Sequence, residues 1–90
     1  LALAVVVAAL LWLQPAAIWW ALALLASSAV LAAELLNTAV ERLADALHPA
    51  ESAAIRIVKD CAAAAVLITV LGALAVAAAF IVHLLRTHGG

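Results

Sequence analysis

The amino-acid sequence predicts an all-α, polytopic membrane protein with three apolar helical spans in a single membrane domain. Two observations carry that reading. First, 72% of the 90 residues are hydrophobic and only 10% are charged, against about 45–50% and about 25% in an ordinary soluble domain. A water-soluble globule of this size has too little interior to hide so much apolar surface, so the remaining solvent is lipid. Second, the apolar residues fall into three runs separated by two short breaks, at Gln14-Pro15 and at His48-Pro49-Ala50.

The first run, Leu1–Leu13, spans about 20 Å as a helix at about 1.5 Å per residue, short of a hydrocarbon core of about 30 Å. The chain opens at Leu1 within this run and has no Met, so it reads as lacking an N-terminal segment. A secretory signal is the other reading of such a run, but no basic n-region precedes it. Pro15 suits the first turn of a following helix, predicted over 15–47. Trp12, Trp19 and Trp20 bracket the first break. Tryptophan favours the membrane–water interface, which places a tight turn there at one bilayer surface. His48-Pro49 stops the second helix, and a third is predicted over 51–86. Its apolar part, Cys61–Val82, covers about 33 Å.

The net charge of −1 supplies no basic surface of the kind that holds nucleic acid. The lone Cys61 excludes an internal disulfide and a Cys-x-x-Cys metal site. Of the nine Asp, Glu, Lys and Arg residues, eight lie between Glu34 and Asp60 and the ninth is Arg86. Arg42, Arg56 and Lys59 flank the second connection, whereas the first has no Lys or Arg. The positive-inside rule therefore puts the second connection in the cytoplasm.

At about 100° per residue, Glu34, Asn37, Thr38, Glu41 and Asp45 fall at about 0°, 300°, 40°, 340° and 20° on one helix, a single polar stripe. Three carboxylates on one stripe repel each other unless a cation sits among them. Glu34 follows directly on an uncharged run, and an ionisable residue at that depth is costly and points to function. On the third helix Arg56, Lys59 and Asp60 stand at i, i+3 and i+4 and share a face. A short connection makes the two helices antiparallel neighbours, so carboxylates, an amide and two cations are expected to converge. Carboxylate oxygens suit Mg²⁺ together with substrate phosphates, and Arg and Lys suit the phosphates themselves. That set matches the needs of phosphoryl transfer. A solvated juxtamembrane face is the competing reading of the same charges, and both stay open on patterning alone. His48 reads as a loop residue. His83 and His88 read as interfacial, without metal-ligand spacing. No phosphate-binding glycine loop is present.

The stretch Glu34-Leu-Leu-Asn-Thr-Ala-Val-Glu41, then Asp45, then Lys59-Asp60 and an Ala-rich run to Val66, resembles the signature of the prokaryotic diacylglycerol kinases. The resemblance implies a trimeric bundle, a homotrimer of three-span subunits sharing active sites in the bacterial inner membrane. It implies transfer of the ATP γ-phosphate to a lipid hydroxyl at the cytoplasmic face, with Mg²⁺ as cofactor. By motif position, Glu34 matches the general base, with Asn37 beside it. Glu41 matches a Mg²⁺ and ATP ligand, and Lys59 and Asp60 match residues at the nucleotide. Asp45, Thr38 and Arg56 fall at the rim. The lipid partner implied is diacylglycerol or undecaprenol; Ser27-Ser28 and the tryptophans lean toward diacylglycerol. A non-enzymatic helical oligomer is the alternative of a different class. Family members also carry a surface helix and a glutamate before the first span, neither of which has a counterpart in residues 1–90. These residues by themselves are expected to assemble but to phosphorylate lipid poorly.

Overall fold

A computed structural model describes residues 2–88 as three helices: α1 Ala2–Leu13, α2 Ala17–Leu47 and α3 Ala53–His88. The local chemistry explains the boundaries. Gln14 adopts a positive φ of 50°, the left-handed turn that ends many helices. Its backbone N–H donates to the Leu10 carbonyl at 2.9 Å, and its side-chain amide donates to the Leu11 carbonyl at 2.6 Å. Two carbonyls left over by the end of α1 are thereby satisfied. Pro15 then lies just ahead of α2 rather than inside its first turn: Ala16 is the N-cap, with extended backbone at φ −57° and ψ 152°.

At the other end of α2, the His48 N–H closes the last turn on the Ala44 carbonyl at 2.8 Å, and Pro49 cannot continue it. Ser52 starts α3 by accepting from the Ile55 N–H at 3.3 Å. A Ser N-cap of this kind contributes about 0.5–2 kcal/mol. Ser52→Ala is therefore expected to lower stability toward the bottom of that range, because the bond is long. Reversible unfolding in mixed detergent micelles reads the change.

α2 and α3 pack along each other as a long antiparallel hairpin, and α1 lies more lightly against α2. On α2 the less exposed residues facing α3 are Trp19, Ala23, Ala26, Val30, Ala33, Asn37, Val40 and Ala44. Steps of four and three alternate along that row, an average of about 3.5, which is the period of a left-handed helix–helix seam. α3 answers with Ile55, Lys59, Ala62, Val66, Val70, Ala73, Val76, Phe80 and Leu84. Much of the seam is alanine and valine, and small residues let helix backbones approach in lipid, where burial of apolar area gives no drive. At the far end Trp19 packs on Phe80 with ring centroids 5.1 Å apart and on His83 at 5.3 Å.

Only Leu10 and Ala44 are buried among the described residues, and leucine, isoleucine and valine side chains are exposed along all three helices. The accessible surface is 6496 Å², against roughly 4900 Å² for a folded soluble monomer of this mass. α2 and α3 are each long and apolar enough to cross a membrane, while α1 is a shorter apolar helix. The molecule is 58 Å long, well beyond a hydrocarbon core of about 30 Å. The charged residues from Glu34 round to Asp60 cluster at the tip of the hairpin, and that tip carries the candidate site.

Candidate active site

The polar stripe of α2 does not face α3 as a whole. Asn37 lies in the seam between Ala33 and Val40 and is half-buried. Glu34, Thr38, Glu41 and Asp45 lie on the adjoining flank and are exposed. Geometry explains the split: the seam is narrow, the stripe is about 100° wide, and only its Asn37 edge reaches the seam. The face expected on α3 divides in the same way. Lys59 joins Ile55 and Ala62 in the seam, whereas Arg56, Asp60 and Ala63 are exposed beside it.

One cross-helix contact joins the two sets. The Lys59 Nζ donates to Asp45 Oδ1 at 2.6 Å. Lys59 stands at the mouth of α3, ahead of the apolar span that begins at Cys61. The bond to Asp45 raises its pKa above the ordinary 10.5; partial burial opposes the rise, and the charges of Asp45, Glu51 and Glu41 add to it. A raised ammonium pKa means that the pair's contribution is complete at neutral pH and fades only as alkali removes the proton. Arg56 turns the other way, toward Glu51 at 3.9 Å. With both side chains largely exposed, that pair contributes little.

Convergence is thus narrower than the spacing led one to expect. No set of three His, Cys, Asp or Glu side chains among the described residues is arranged to hold a metal. Glu34, Glu41 and Asp45 sit on one helix at i, i+7 and i+11, so the first two are separated by about 10 Å along the axis. The donor set still fits Mg²⁺ of the kind that keeps its waters and takes one or two carboxylates plus substrate phosphates. Glu41 is such a carboxylate: exposed, and outside both ion pairs.

Two further features were not legible in the sequence. The Asn37 Oδ1 is buried with no hydrogen-bond partner. An unsatisfied buried acceptor costs about 1–3 kcal/mol, and such a group in a native fold invites a functional explanation. The second feature is an apolar cleft of about 520 Å³ formed by Ala2, Leu3 and Val6 of α1, Val30 and Leu31 of α2, and Val70 and Leu74 of α3, with Glu34 as its one charged residue. A second apolar cleft of about 350 Å³ continues toward Trp19 and Phe80 and shares Val6, Ser27 and Ala73 with the first. The cleft thus has a single carboxylate in a mostly apolar wall.

Residues 1–81 match the family model described as prokaryotic diacylglycerol kinase. The chain belongs to this family. No curated protein and no solved structure matches it. The matched segment includes all eight candidate site residues: Glu34, Asn37, Thr38, Glu41, Asp45, Arg56, Lys59 and Asp60. Membership in the diacylglycerol kinase family points to a lipid kinase in a membrane, and the hairpin tip is the polar region of this chain where such chemistry finds its residue types.

Proposed function

We propose that the protein is an ATP- and Mg²⁺-dependent lipid kinase of the bacterial inner membrane that phosphorylates diacylglycerol to phosphatidate. The observation that carries this reading is the position of Glu34. It is the first ionisable residue after the uncharged stretch of α2 and lines an apolar cleft. An acyl chain in the cleft leaves its headgroup hydroxyl at the Glu34 end. The Glu34 carboxylate takes the hydroxyl proton as the oxygen attacks the γ-phosphorus; the bond to the β-phosphate oxygen breaks and ADP leaves. Asn37 stands one turn from Glu34 in the motif, with its Oδ1 buried at the seam rather than open to the cleft. Lys59, positioned by Asp45, meets the phosphates as a charge-assisted donor, and Asp60 stands next to it at the nucleotide. Glu41 would hold Mg²⁺, which offsets phosphate charge in the transition state. The homotrimer implied by the family resemblance belongs to the same proposal, with a neighbouring subunit supplying what one hairpin lacks.

Family membership favours this reading over a non-enzymatic helical oligomer. Ser27 and Ser28 lean toward diacylglycerol by resemblance only; their hydroxyls donate within their own helix, to the carbonyls of Ala23 at 2.8 Å and Leu25 at 2.9 Å. Undecaprenol therefore belongs in the same assay. The full-length protein in vesicles with MgATP is expected to label diacylglycerol in preference to undecaprenol; the reverse preference would move the assignment to the polyprenol.

Topology follows from Arg42, Arg56 and Lys59 around the second connection. With the exposed native Cys61 first replaced by Ala, a cysteine at Ala50 is expected to react with an impermeant maleimide only after cells are opened. Labelling in intact cells would place the hairpin tip outside, away from ATP.

A further inference from the structure

Arg42 belongs to neither the motif nor the ion pairs. The described residues contain two ion pairs, Lys59 with Asp45 and Arg56 with Glu51. Arg42 is exposed and belongs to neither. Its acidic neighbour within a turn on the same side of α2 is Asp45, at i+3, and Lys59 occupies that carboxylate at 2.6 Å. The cross-helix bond therefore leaves a guanidinium free on the same flank as the carboxylates. Arg86 also stands outside both ion pairs, but it lies near the opposite end of α3, away from the hairpin tip.

The register of this free charge is specific. Glu34, Thr38 and Arg42 stand at i, i+4 and i+8 and form one row. Arg42 is about 12 Å further along the axis than Glu34, on the side toward the connection. Glu41 and Asp45, the latter with Lys59, form the adjacent row at similar depth. A lipid hydroxyl reaches Glu34 from the membrane side, so the phosphate chain of the nucleotide has to run from Glu34 toward the connection. It then passes between Lys59 on one side and Arg42 on the other. Without Arg42, the only basic side chain along this passage is Lys59, itself already paired with Asp45.

We infer that Arg42 is a second phosphate-binding residue of this kinase, gripping the nucleotide's non-transferred phosphates opposite Lys59. The inference rests on the lipid kinase reading and adds a residue to it. A planar guanidinium bonds phosphate oxygens in pairs, which an ammonium cannot do. Arg42→Gln should therefore weaken nucleotide binding, and Arg42→Lys should restore only part of it.

The test uses full-length protein in vesicles and measures the Kd of MgATP by equilibrium binding, with the KM for ATP and kcat alongside. Arg42→Gln is expected to raise both Kd and KM by about tenfold or more, the loss of one charge-assisted contact, with kcat changed far less. Arg42→Lys should fall between the two. The loss should be equal in zwitterionic and anionic vesicles. An unchanged Kd in Arg42→Gln overturns the assignment and leaves the kinase reading intact. A loss confined to anionic vesicles also overturns it, since Arg42 would then bind lipid headgroups. Failure of the unmutated protein to bind MgATP overturns the kinase reading itself, and the role of Arg42 with it.

Discussion

Glu41→Gln is expected to abolish most of the transferase activity, by about a thousandfold or more. The substitution keeps the shape of the side chain and removes the charge that Mg²⁺ requires. Metal stabilisation of transition-state charge is worth several kcal/mol, and each 1.36 kcal/mol is a factor of ten in rate. The loss should yield poorly to added Mg²⁺, because a neutral amide is a weak ligand for a hard cation. Stability should scarcely change: Glu41 is exposed and outside both ion pairs, and such surface positions usually move stability by less than about 0.5 kcal/mol. Folding controls on the purified variant separate the two effects. Near-normal turnover would remove Glu41 from the mechanism.

The second large effect separates Glu34 from Lys59. A general base acts on the transferring step, so Glu34→Gln should lower kcat by about 10²–10⁴ and leave ATP affinity close to normal. Lys59→Leu should instead raise the KM for ATP by about tenfold or more, through loss of about 1.5–3 kcal/mol of charge-assisted binding. Asp45 loses its partner in that variant, but its side chain is 64% exposed, so water resolvates it at small cost. A weakened KM in Lys59→Leu therefore reports on the nucleotide rather than on a collapsed hairpin. An unchanged KM would sever Lys59 from ATP.

The helical class and the breaks between helices were legible because they depend on local chemistry. His48-Pro49 stops α2 whatever surrounds it, and Ser52 caps α3 by its own hydroxyl. The bounds at Pro15 shifted by two residues because Gln14 took the left-handed turn and Ala16 the N-cap, a choice that alanine does not announce. The α2–α3 seam was hidden for a different reason. In water, a 3.5-residue period stands out against a polar outer face. Here the exposed positions along the spans, such as Leu24, Leu25, Ile68 and Leu71, are as apolar as the seam, so no contrast marks it.

The same cause limited the reading of the site. The stripe from Glu34 to Asp45 was legible because charge is rare in this chain. Which edge of it faces α3 depends on the rotation of α2, and the seam sets that rotation. Asn37 and the exposed carboxylates therefore read as equivalent, although one is packed against α3 and the others are not. The Lys59–Asp45 pair likewise needs the register of the hairpin. That register places Trp19 beside His83 as it places Asp45 beside Lys59, each pair nearly equidistant from the turn.

The central claim is that this hairpin tip moves phosphate from ATP to a membrane lipid with Glu34 as base. The most direct measurement follows γ-phosphate-labelled ATP into the lipid extract of vesicles containing full-length protein, Mg²⁺ and diacylglycerol, with Glu34→Gln in parallel. The account predicts labelled phosphatidate that depends on Mg²⁺ and falls at least about a hundredfold in Glu34→Gln. Labelling of lipid at an equal rate in the Glu34→Gln variant, or no labelled lipid from either diacylglycerol or undecaprenol, would contradict it.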